Sequence, residues 1–241
     1  MAVSTARVAR RPRACVGVAG PDAADYLQRM VSNDVEALDV GAACEALLLT
    51  PKGRIIAPLR VLRRGADDFL VLTEPDLGER VAAELVRMRF AAKCEIVSEE
   101  HESWLVFGGD EVLDVRPEGE EVSQEEAERA RIEAGIPRWG HELDETILPA
   151  EAGLDETHIS FSKGCYPGQE PIARLHYRGH VNKRLRKLEV ASAQAGDEIR
   201  QGDKVVGRVT SAVPGLALGY VRAGVPDDSE LIIGGASARL H

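Results

Sequence analysis

The sequence predicts an α+β protein with a larger domain of interleaved helices and antiparallel sheet, followed by a small C-terminal antiparallel β-barrel. Three patterns support this fold class. Residues 21–31 follow a helical apolar stripe, and residues 44–50 and 54–62 are strand-like runs joined by a short turn. The C-terminal part consists of closely spaced apolar runs separated by glycines, which is typical of a small barrel. We therefore predict domains over residues 1–183 and 184–241.

Local signals place the first elements. Gly20-Pro21 can open the first helix, and Thr50-Pro51-Lys52-Gly53 fits a type I turn between two strands, with proline at its second position and glycine at its fourth. Asp76 is expected to cap a second helix. The remaining strands of this domain are expected at 14–18, 69–73, 94–98 and 103–107.

The following segment contains one helix with clear boundaries. Ser123 and Glu126 form an S-x-x-E capping box, and Gly135 followed by Pro137 ends the helix near residue 134. A short helix is expected from residue 168 to 175. The strands of the predicted barrel are 184–191, 204–213, 216–222, 231–233 and 236–240.

The charge of the chain is concentrated in one segment. The formal net charge is −10, and residues 99–128 hold twelve acidic residues and one basic residue. We expect this acidic stretch to be a solvated face. Because the rest of the chain is then almost neutral, the overall balance does not favour direct nucleic-acid binding.

Composition also bears on compartment and metal binding. No apolar run approaches the ~18 residues of a membrane helix, so we expect no membrane association. The arginines at 7, 10, 11 and 13 are expected to form an exposed basic segment, because no apolar targeting core follows them. The cysteines at 15, 44, 94 and 165 have no zinc-like spacing, so we expect no structural metal and a cytoplasmic, reducing location.

The segment Lys163–Glu170, with the sequence KGCYPGQE, is the strongest candidate for a functional site. Cys165 is expected just before a helix N-terminus and beside Lys163. A helix dipole and an ammonium group both favour a thiolate, so the local sequence suggests a reactive or metal-binding cysteine. A partly buried structural cysteine is the alternative interpretation.

This segment resembles the K-G-C-Y-x-G-Q-E signature of the YgfZ family, relatives of the glycine-cleavage aminomethyltransferase GcvT. The order of weaker motifs is also similar to that family over most of residues 16–190. These motifs are Gly20-Pro21-Asp22-Ala23 with Asn33-Asp34-Val35, Thr50–Ile55, Arg131–Pro137 and Pro149–Leu154. The resemblance implies a GcvT/YgfZ-like folate-binding domain with a small C-terminal β-barrel.

The resemblance also implies a tetrahydrofolate or related reduced folate as cofactor. Glu133 matches the carboxylate that accepts hydrogen bonds from the pterin ring in related proteins. Without the resemblance, a solvent-exposed glutamate in the last helical turn is the simpler interpretation. Cys165 is implied as the functional thiol, and the further residues implied to bind the cofactor are Arg131, Lys163, Tyr166, Gln169 and Arg174.

Three functions remain open at this stage. The first is a folate-dependent accessory protein for iron–sulfur cluster assembly or repair, which also supports tRNA-modifying iron–sulfur enzymes; its partners would be iron–sulfur proteins or cluster-assembly factors. The second is an aminomethyl transferase, but the stretch Ile55–Leu59 lacks the acid that those enzymes carry after the hairpin. The third is a thiol enzyme with Cys165 as nucleophile and His158 or His176 as base.

A basic segment follows the signature. Residues 174–187 contain six arginines and lysines and two histidines. We interpret it as a solvated face that could anchor the carboxylates of a folate tail, or as a docking surface for an acidic partner or tRNA. Aromatic residues that could stack on RNA bases are scarce there, which disfavours tRNA.

Overall fold

The computed structural model describes residues 6–241 of the chain. Its α-helices are α1 (Ala23–Met30), α2 (Gly78–Met88), α3 (Gln124–Glu133) and α4 (Gln169–Arg178). Its strands are β1 (Arg7–Arg10), β2 (Ala14–Ala19), β3 (Ala43–Leu49), β4 (Ile55–Gly65), β5 (Asp68–Thr73), β6 (Glu95–Glu99), β7 (Ser103–Val106), β8 (Glu111–Leu113), β9 (Glu120–Glu121), β10 (Lys183–Val190), β11 (Glu198–Gln201), β12 (Lys204–Val213), β13 (Gly215–Arg222), β14 (Leu231–Ile233) and β15 (Ala236–Leu240). No helix within the described residues is long and apolar enough to cross a membrane.

The described residues group into two units. The first contains residues 6–122 and 155–173, and the second contains residues 123–154 and 174–241. This division differs from the predicted single boundary at 184, because helix α3 groups with the barrel strands. Ile132 of α3 is fully buried against Leu216 and Leu218 of β13. The apolar stripe of a helix can be recognised in sequence, but the strand that it packs on cannot.

The first unit is built on a five-stranded antiparallel sheet with the strand order β3-β4-β5-β2-β6. In the central region, Val16 of β2 lies opposite Val71 of β5 and Ser98 of β6. Four consecutive residues of β2 are buried, which explains its uninterrupted apolar sequence. Strands β3 and β4 form the predicted hairpin, and the Gly53 amide donates to the Thr50 carbonyl across its turn at 2.9 Å.

The helices of the first unit bury the apolar faces that the sequence predicted. Helix α1 buries Tyr26 and Leu27, and α2 buries Val81 and Leu85. The Tyr26 hydroxyl donates to the Leu85 carbonyl at 2.5 Å, which ties the two helices together. The prediction that Asp76 caps α2 is wrong: Asp76 lies within a 3₁₀ turn over Pro75–Leu77, and its side chain makes no capping hydrogen bond.

The basic start of the chain is part of a second sheet. Strand β1 lies in a four-stranded sheet with the order β8-β7-β1-β9, and Val8 and Ala9 are buried. Arg7 and Arg10 are exposed as expected, although residues 7–10 form a strand of their own. The expectation was wrong for Arg13, whose side chain is 4% exposed. The short alternation of two apolar residues between arginines was too brief to be recognised as a strand.

The acidic stretch 99–128 is only partly a solvated face. The side chain of Glu111 is 3% exposed and forms an ion pair with the equally buried Arg13 at 2.8 Å. The Ser103 hydroxyl donates to the same carboxylate. Burial would raise the pKa of Glu111, but the hydrogen bond and charge of Arg13 outweigh it and lower that pKa to about 2. One acid of this stretch is thus an internal anchor of the first unit.

The second unit is a closed six-stranded barrel with the order β10-β13-β12-β11-β14-β15, in agreement with the predicted C-terminal antiparallel barrel. The pairing of β10 with β15, for example Leu188 opposite Leu240, closes it. Leu188, Ile199 and Ile233 are fully buried in its core. Strand β11 was not predicted, because its sequence EIRQ contains a single apolar residue.

Helix α3 begins as its sequence predicts. The Glu126 amide donates to the Ser123 hydroxyl oxygen at 3.2 Å, and the Ser123 amide donates to the Glu126 carboxylate at 3.0 Å. Gly135 follows the helix with a φ of 68°, a conformation that favours glycine. The capping box and the glycine therefore fix both ends of the helix that carries Glu133.

Candidate functional site

The residues 155–163 that lead to the signature are fastened to the segment after α1. The Ser32 hydroxyl donates to the His158 carbonyl at 2.6 Å, and the Ser160 amide donates to the Ser32 carbonyl at 3.0 Å. The Asn33 side-chain amide donates to the Thr157 carbonyl at 3.2 Å. These contacts hold a segment without helix or strand in place, because they satisfy its backbone groups.

Lys163 is a buried anchor of the signature segment 163–170, which we call the cysteine loop. Its ammonium group donates to the carbonyls of Val31 at 2.8 Å and Asn33 at 2.7 Å, and the residue is 9% exposed. Burial lowers its pKa to about 8, although Asp34 opposes the shift. The sequence suggested that this ammonium stabilises the Cys165 thiolate; the structure instead directs it to two backbone carbonyls.

Gly168 brings the cysteine loop into direct contact with the β3–β4 turn. Its φ is 84°, and a Cβ added there would lie 2.5 Å from the Thr50 carbonyl oxygen and 3.1 Å from the Cα of Gly53. A Cβ at Gly53 would in turn lie 3.2 Å from the Pro171 ring. Each of the two motifs therefore needs a glycine where it meets the other. The sequence contained both motifs but gave no sign of this contact.

Cys165 is the exposed thiol of the chain. All four cysteines are free; Cys15 and Cys94 are buried and Cys44 is partly buried. Burial raises the pKa of Cys15 and of Cys44 to about 11, which keeps those thiols protonated at neutral pH. The cysteine loop thus presents one thiol to solvent.

Tyr166, the residue directly after Cys165, is buried although the cysteine is exposed. Tyr166 is 7% exposed, and its hydroxyl has no hydrogen-bond partner within residues 6–241. Burial raises the pKa of Tyr166 to about 12. Gln169 begins α4 and its amide donates to the Tyr166 carbonyl at 3.2 Å. A buried hydroxyl without a partner is a feature that a ligand could satisfy.

Arg131 and Glu133 lie at the end of α3 in the second unit. The Arg131 guanidinium donates to Glu142 at 2.9 Å, to Ser211 at 2.8 Å and to Glu128 at 2.7 Å. The carboxylate of Glu142 is fully buried and also accepts from the Arg138 amide at 3.0 Å. These contacts give Arg131 a structural task in the barrel unit. Its role in folate binding stays a prediction.

Glu133 lines an open depression of about 690 Å³ on the second unit, which we call the Glu133 depression. Its side chain is 53% exposed and pairs with Arg129 at 3.0 Å. The Lys187 ammonium donates to the Glu133 carbonyl at 3.1 Å. The His241 ring lies 3.0 Å from the Glu189 carboxylate, which is 59% exposed and also lines the wall. The wall therefore offers two exposed carboxylates, those of Glu133 and Glu189, among several basic groups.

The Glu133 depression fits part of a reduced folate. The Glu133 carboxylate is exposed enough to accept hydrogen bonds from a pterin, and the depression falls in the size range of ligand pockets. In the first unit, the Tyr166 hydroxyl is buried and has no hydrogen-bond partner among the described residues. Arg174 is exposed at the middle of α4. The roles of these residues in binding stay predictions.

Two other features bear on the rival functions. Ala57 is fully buried in β4, and Pro58 lies opposite Leu47 of β3. This part of β4 therefore occupies apolar positions of the sheet. Burial lowers the pKa of His158, and its ring contacts the Thr157 hydroxyl at 2.7 Å. No cluster of three potential metal ligands occurs among residues 6–241. None of these observations adds an acid or a catalytic base beside Cys165.

The basic segment 174–187 is divided among different surroundings in the second unit. Arg186 pairs with Asp227 at 2.8 Å, and Lys187 contacts the Glu133 carbonyl. Helix α4 extends to Arg178, three residues beyond the predicted end, and His176 contacts the Tyr177 ring edge-on at a centroid distance of 4.9 Å. The exposed cations that remain are Arg174, Arg178 and Arg184.

Comparisons with known proteins agree with this fold and these motifs. Residues 14–111 match the family described as the GCVT N-terminal domain. The crystal structure of glycine cleavage system aminomethyltransferase T from Bartonella henselae superposes with a TM-score of 0.80 over 99% of this chain and 85% of that one, at 18% identity. The architecture is therefore the aminomethyltransferase fold, with mixed helices and antiparallel sheets and a closed barrel.

Sequence relatives narrow the class further. The tRNA-modifying protein YgfZ from Edwardsiella ictaluri is 28% identical over 247 residues, which cover 78% of this chain and 73% of that protein. An iron-sulfur cluster assembly factor IBA57 homolog, mitochondrial, from Mycosarcoma maydis is 29% identical over 228 residues, which cover 76% of this chain and 57% of that protein. These similarities support the resemblance to the YgfZ/GcvT-like family that was drawn from the motifs of this chain.

Proposed function

We propose that this chain is a folate-dependent accessory protein that supports assembly or repair of iron–sulfur clusters in other enzymes, including enzymes that modify tRNA. The names of its relatives from Mycosarcoma maydis and Edwardsiella ictaluri support the two parts of this proposal. The observation that carries it is the exposure of Cys165 on a loop held by buried Lys163 and Gly168.

Cys165 acts transiently in this proposal. Iron–sulfur clusters are normally held by four protein thiolates, and the described residues contain no cluster of three metal ligands. A single thiolate can instead occupy one iron site while a client supplies the others. On transfer, a client thiolate replaces Cys165 at that iron and Cys165 regains a proton, so no oxidant or reductant is needed. The cluster is thus cargo rather than a resident cofactor.

The folate is bound through this chain's own polar groups. Glu133 accepts hydrogen bonds from pterin N–H groups, and the cations around it attract the carboxylates of the folate tail. Arg131, Lys163, Tyr166, Gln169 and Arg174 remain the other proposed contacts. When bound, a reduced folate supplies a readily oxidised pterin ring.

Clients are proposed to be iron–sulfur proteins or cluster-assembly factors in a reducing cytoplasm. The exposed cations Arg174, Arg178 and Arg184 fit an acidic client surface better than RNA, because the segment carries one aromatic residue. All four thiols are free, as cytoplasmic conditions require. Aminomethyl transfer is disfavoured, because β4 carries no carboxylate at Ala57 or Pro58.

The proposal is tested by rescue of an iron–sulfur enzyme in cells that lack their own family member. The parent chain is expected to restore the activity, and Cys165→Ser is expected to abolish rescue, because a serine hydroxyl stays protonated and is a poor ligand for iron. Cys44→Ser is the matched control and should rescue like the parent. Full rescue by Cys165→Ser, with normal amounts of folded protein, contradicts the thiolate role.

A further inference from the structure

A second depression, of about 450 Å³, lies on the barrel unit. One wall is the segment 141–147, and the others are strands β10, β12 and β13. Its basic side chains are Lys183, Arg208 and Arg222, which we call the cation face. The proposed function uses none of these three residues.

Strand register brings the cation face together. Lys183 of β10 lies directly opposite Arg222 of β13, and Arg208 of β12 lies directly opposite Tyr220. Tyr220 and Arg222 are two residues apart on one strand and therefore share a face of the sheet. The Lys183 ammonium lies 4.6 Å from the centroid of the Tyr220 ring. Three cations and one aromatic ring thus border the same concave surface.

The pair of Lys183 and Arg222 is unfavourable in the absence of an anion. Like charges directly opposite each other on paired strands destabilise a sheet. Within residues 6–241 neither side chain forms an ion pair with a carboxylate. Another cation of β10 is compensated by a carboxylate, since Arg186 forms an ion pair with Asp227 at 2.8 Å.

The nearby carboxylates compensate these cations only in part. Against the effect of burial, hydrogen bonds from Thr146 and the charge of Lys183 lower the pKa of Asp144. Glu142 accepts from Arg131, Ser211 and the Arg138 amide. Asp144 accepts from both the amide and the hydroxyl of Thr146, each at 2.6 Å. Asp144 offsets part of the positive charge of the depression, but three cations face it. In the Glu133 depression, by comparison, Arg129 pairs with Glu133 at 3.0 Å, and Arg239 lies directly opposite Glu189 on the neighbouring strand.

We propose that the cation face is a binding site for a small, multiply charged oxyanion. Two arginine guanidinium groups can present paired N–H donors to the oxygens of phosphate or carboxylate, and Lys183 adds a point charge. One N–H group of Arg208 already donates to the Gly196 carbonyl at 2.9 Å, which fixes the orientation of that side chain. The anion would remove the repulsion between Lys183 and Arg222.

Calorimetric titration of the full chain at low salt tests this site, with diphosphate and citrate as separate probes. Saturable binding of at least one probe is expected, and its affinity should fall as potassium chloride is added. Binding of diphosphate alone assigns a phosphoryl ligand; binding of citrate alone, or of both, assigns a carboxylate-bearing or general oxyanion ligand. Absence of saturable binding by both probes overturns the proposal.

Variants separate this site from general attraction to the charge of the chain. Arg222→Gln and Lys183→Gln should each weaken binding by about tenfold or more, the usual effect of losing a charge-assisted hydrogen bond. The matched control is Arg29→Gln, which removes the same charge from α1, where Arg29 pairs with Asp25 at 2.5 Å. Its affinity should stay within about twofold of the parent, because that site is already compensated.

Thermal melting gives a readout that does not depend on affinity. Without added anion, Arg222→Gln should melt at or above the parent temperature, because it removes a like-charge pair. Added diphosphate or citrate should raise the melting temperature of the parent more than that of the variant. Equal weakening of binding by Arg29→Gln and Arg222→Gln, or an equal anion-induced shift in parent and Arg222→Gln, overturns the site.

Discussion

The cysteine loop and the end of α3 were both predicted as functional regions, but they are built differently. In the cysteine loop, buried Lys163 and Gly168, which has a positive φ, fix the backbone, and the Cys165 side chain is exposed to solvent. At the end of α3, the guanidinium of Arg131 is taken up by barrel contacts, and Glu133 is held by one exposed ion pair to Arg129.

This difference shows that the residues of a motif fall into two groups: those that hold the backbone in place and those whose side chains are available to a ligand or partner. In the loop, the residues that hold the backbone cannot be replaced without cost. A side chain at Gly168 would strain the backbone, and loss of the Lys163 ammonium would leave two carbonyls without a donor. At Glu133 the support is a regular helix with a good cap. Substitutions should therefore be costly for stability in the loop and nearly neutral for stability at Glu133, where the cost appears in ligand affinity.

Gly168→Ala should have the largest effect on stability. An added Cβ would meet the Thr50 carbonyl oxygen at 2.5 Å in a backbone conformation with φ of 84°. Strain and overpacking together should cost about 3 kcal/mol or more of the free energy of unfolding. Urea denaturation measures this loss. The matched control is Gly164→Ala, where an added Cβ meets nothing within 4 Å; equal losses in both variants would contradict the packing account.

Lys163→Met should be the next largest change. It leaves the Val31 and Asn33 carbonyls without their donor, which costs about 1–3 kcal/mol for a buried unsatisfied group. Lys93→Met, at an exposed lysine, is the control and should be nearly neutral. Chemical denaturation of the three proteins at neutral pH gives the comparison.

The pH dependence of the stability difference between the parent and Lys163→Met gives a further test of the buried ammonium. Burial lowers the pKa of Lys163 to about 8, whereas an unfolded lysine titrates near ~10.4. Between these values the unfolded chain binds more protons than the folded chain, so stability gained through this group rises with pH. The stability of the parent relative to Lys163→Met should therefore increase from about pH 8 to pH 10. A constant difference would show that the ammonium is not buried.

Glu133→Ala should leave stability almost unchanged and weaken binding of tetrahydrofolate. Loss of a charged acceptor costs about 1.5–3 kcal/mol, or one to two decades in dissociation constant. Glu125→Ala, at an exposed acid in the first turn of the same helix, is the matched control. Anaerobic titration calorimetry measures both affinities; equal binding by Glu133→Ala and parent would remove Glu133 from the site.

Much of this architecture could be predicted from sequence, because its signals are local. The capping box at Ser123, the turn at Thr50–Gly53 and the glycine-separated barrel strands each depend on neighbouring residues. The signature also drew attention to Cys165, the cysteine that the structure leaves exposed, and its function stays a prediction. What could not be predicted is which distant segment each motif meets.

Particular residues illustrate that limit. Nothing near Gly168 indicates that its partner is the Thr50 carbonyl, more than a hundred residues earlier in the chain. Lys163 next to Cys165 suggested thiolate stabilisation, since sequence proximity was the only information; its donors reach the carbonyls after α1 instead. The same holds for Lys183 and Arg222, which are distant in sequence and become opposite neighbours through strand register.

Labelling of native thiols tests most directly the central claim that the cysteine loop presents Cys165 alone. The folded chain is treated with a small alkylating reagent, and the adducts are located by mass spectrometry over time. The account predicts rapid modification at Cys165, with Cys15, Cys44 and Cys94 modified only slowly until denaturant is added. Protection of Cys165 in the folded chain, or modification of Cys15 and Cys94 at the same rate, would contradict it.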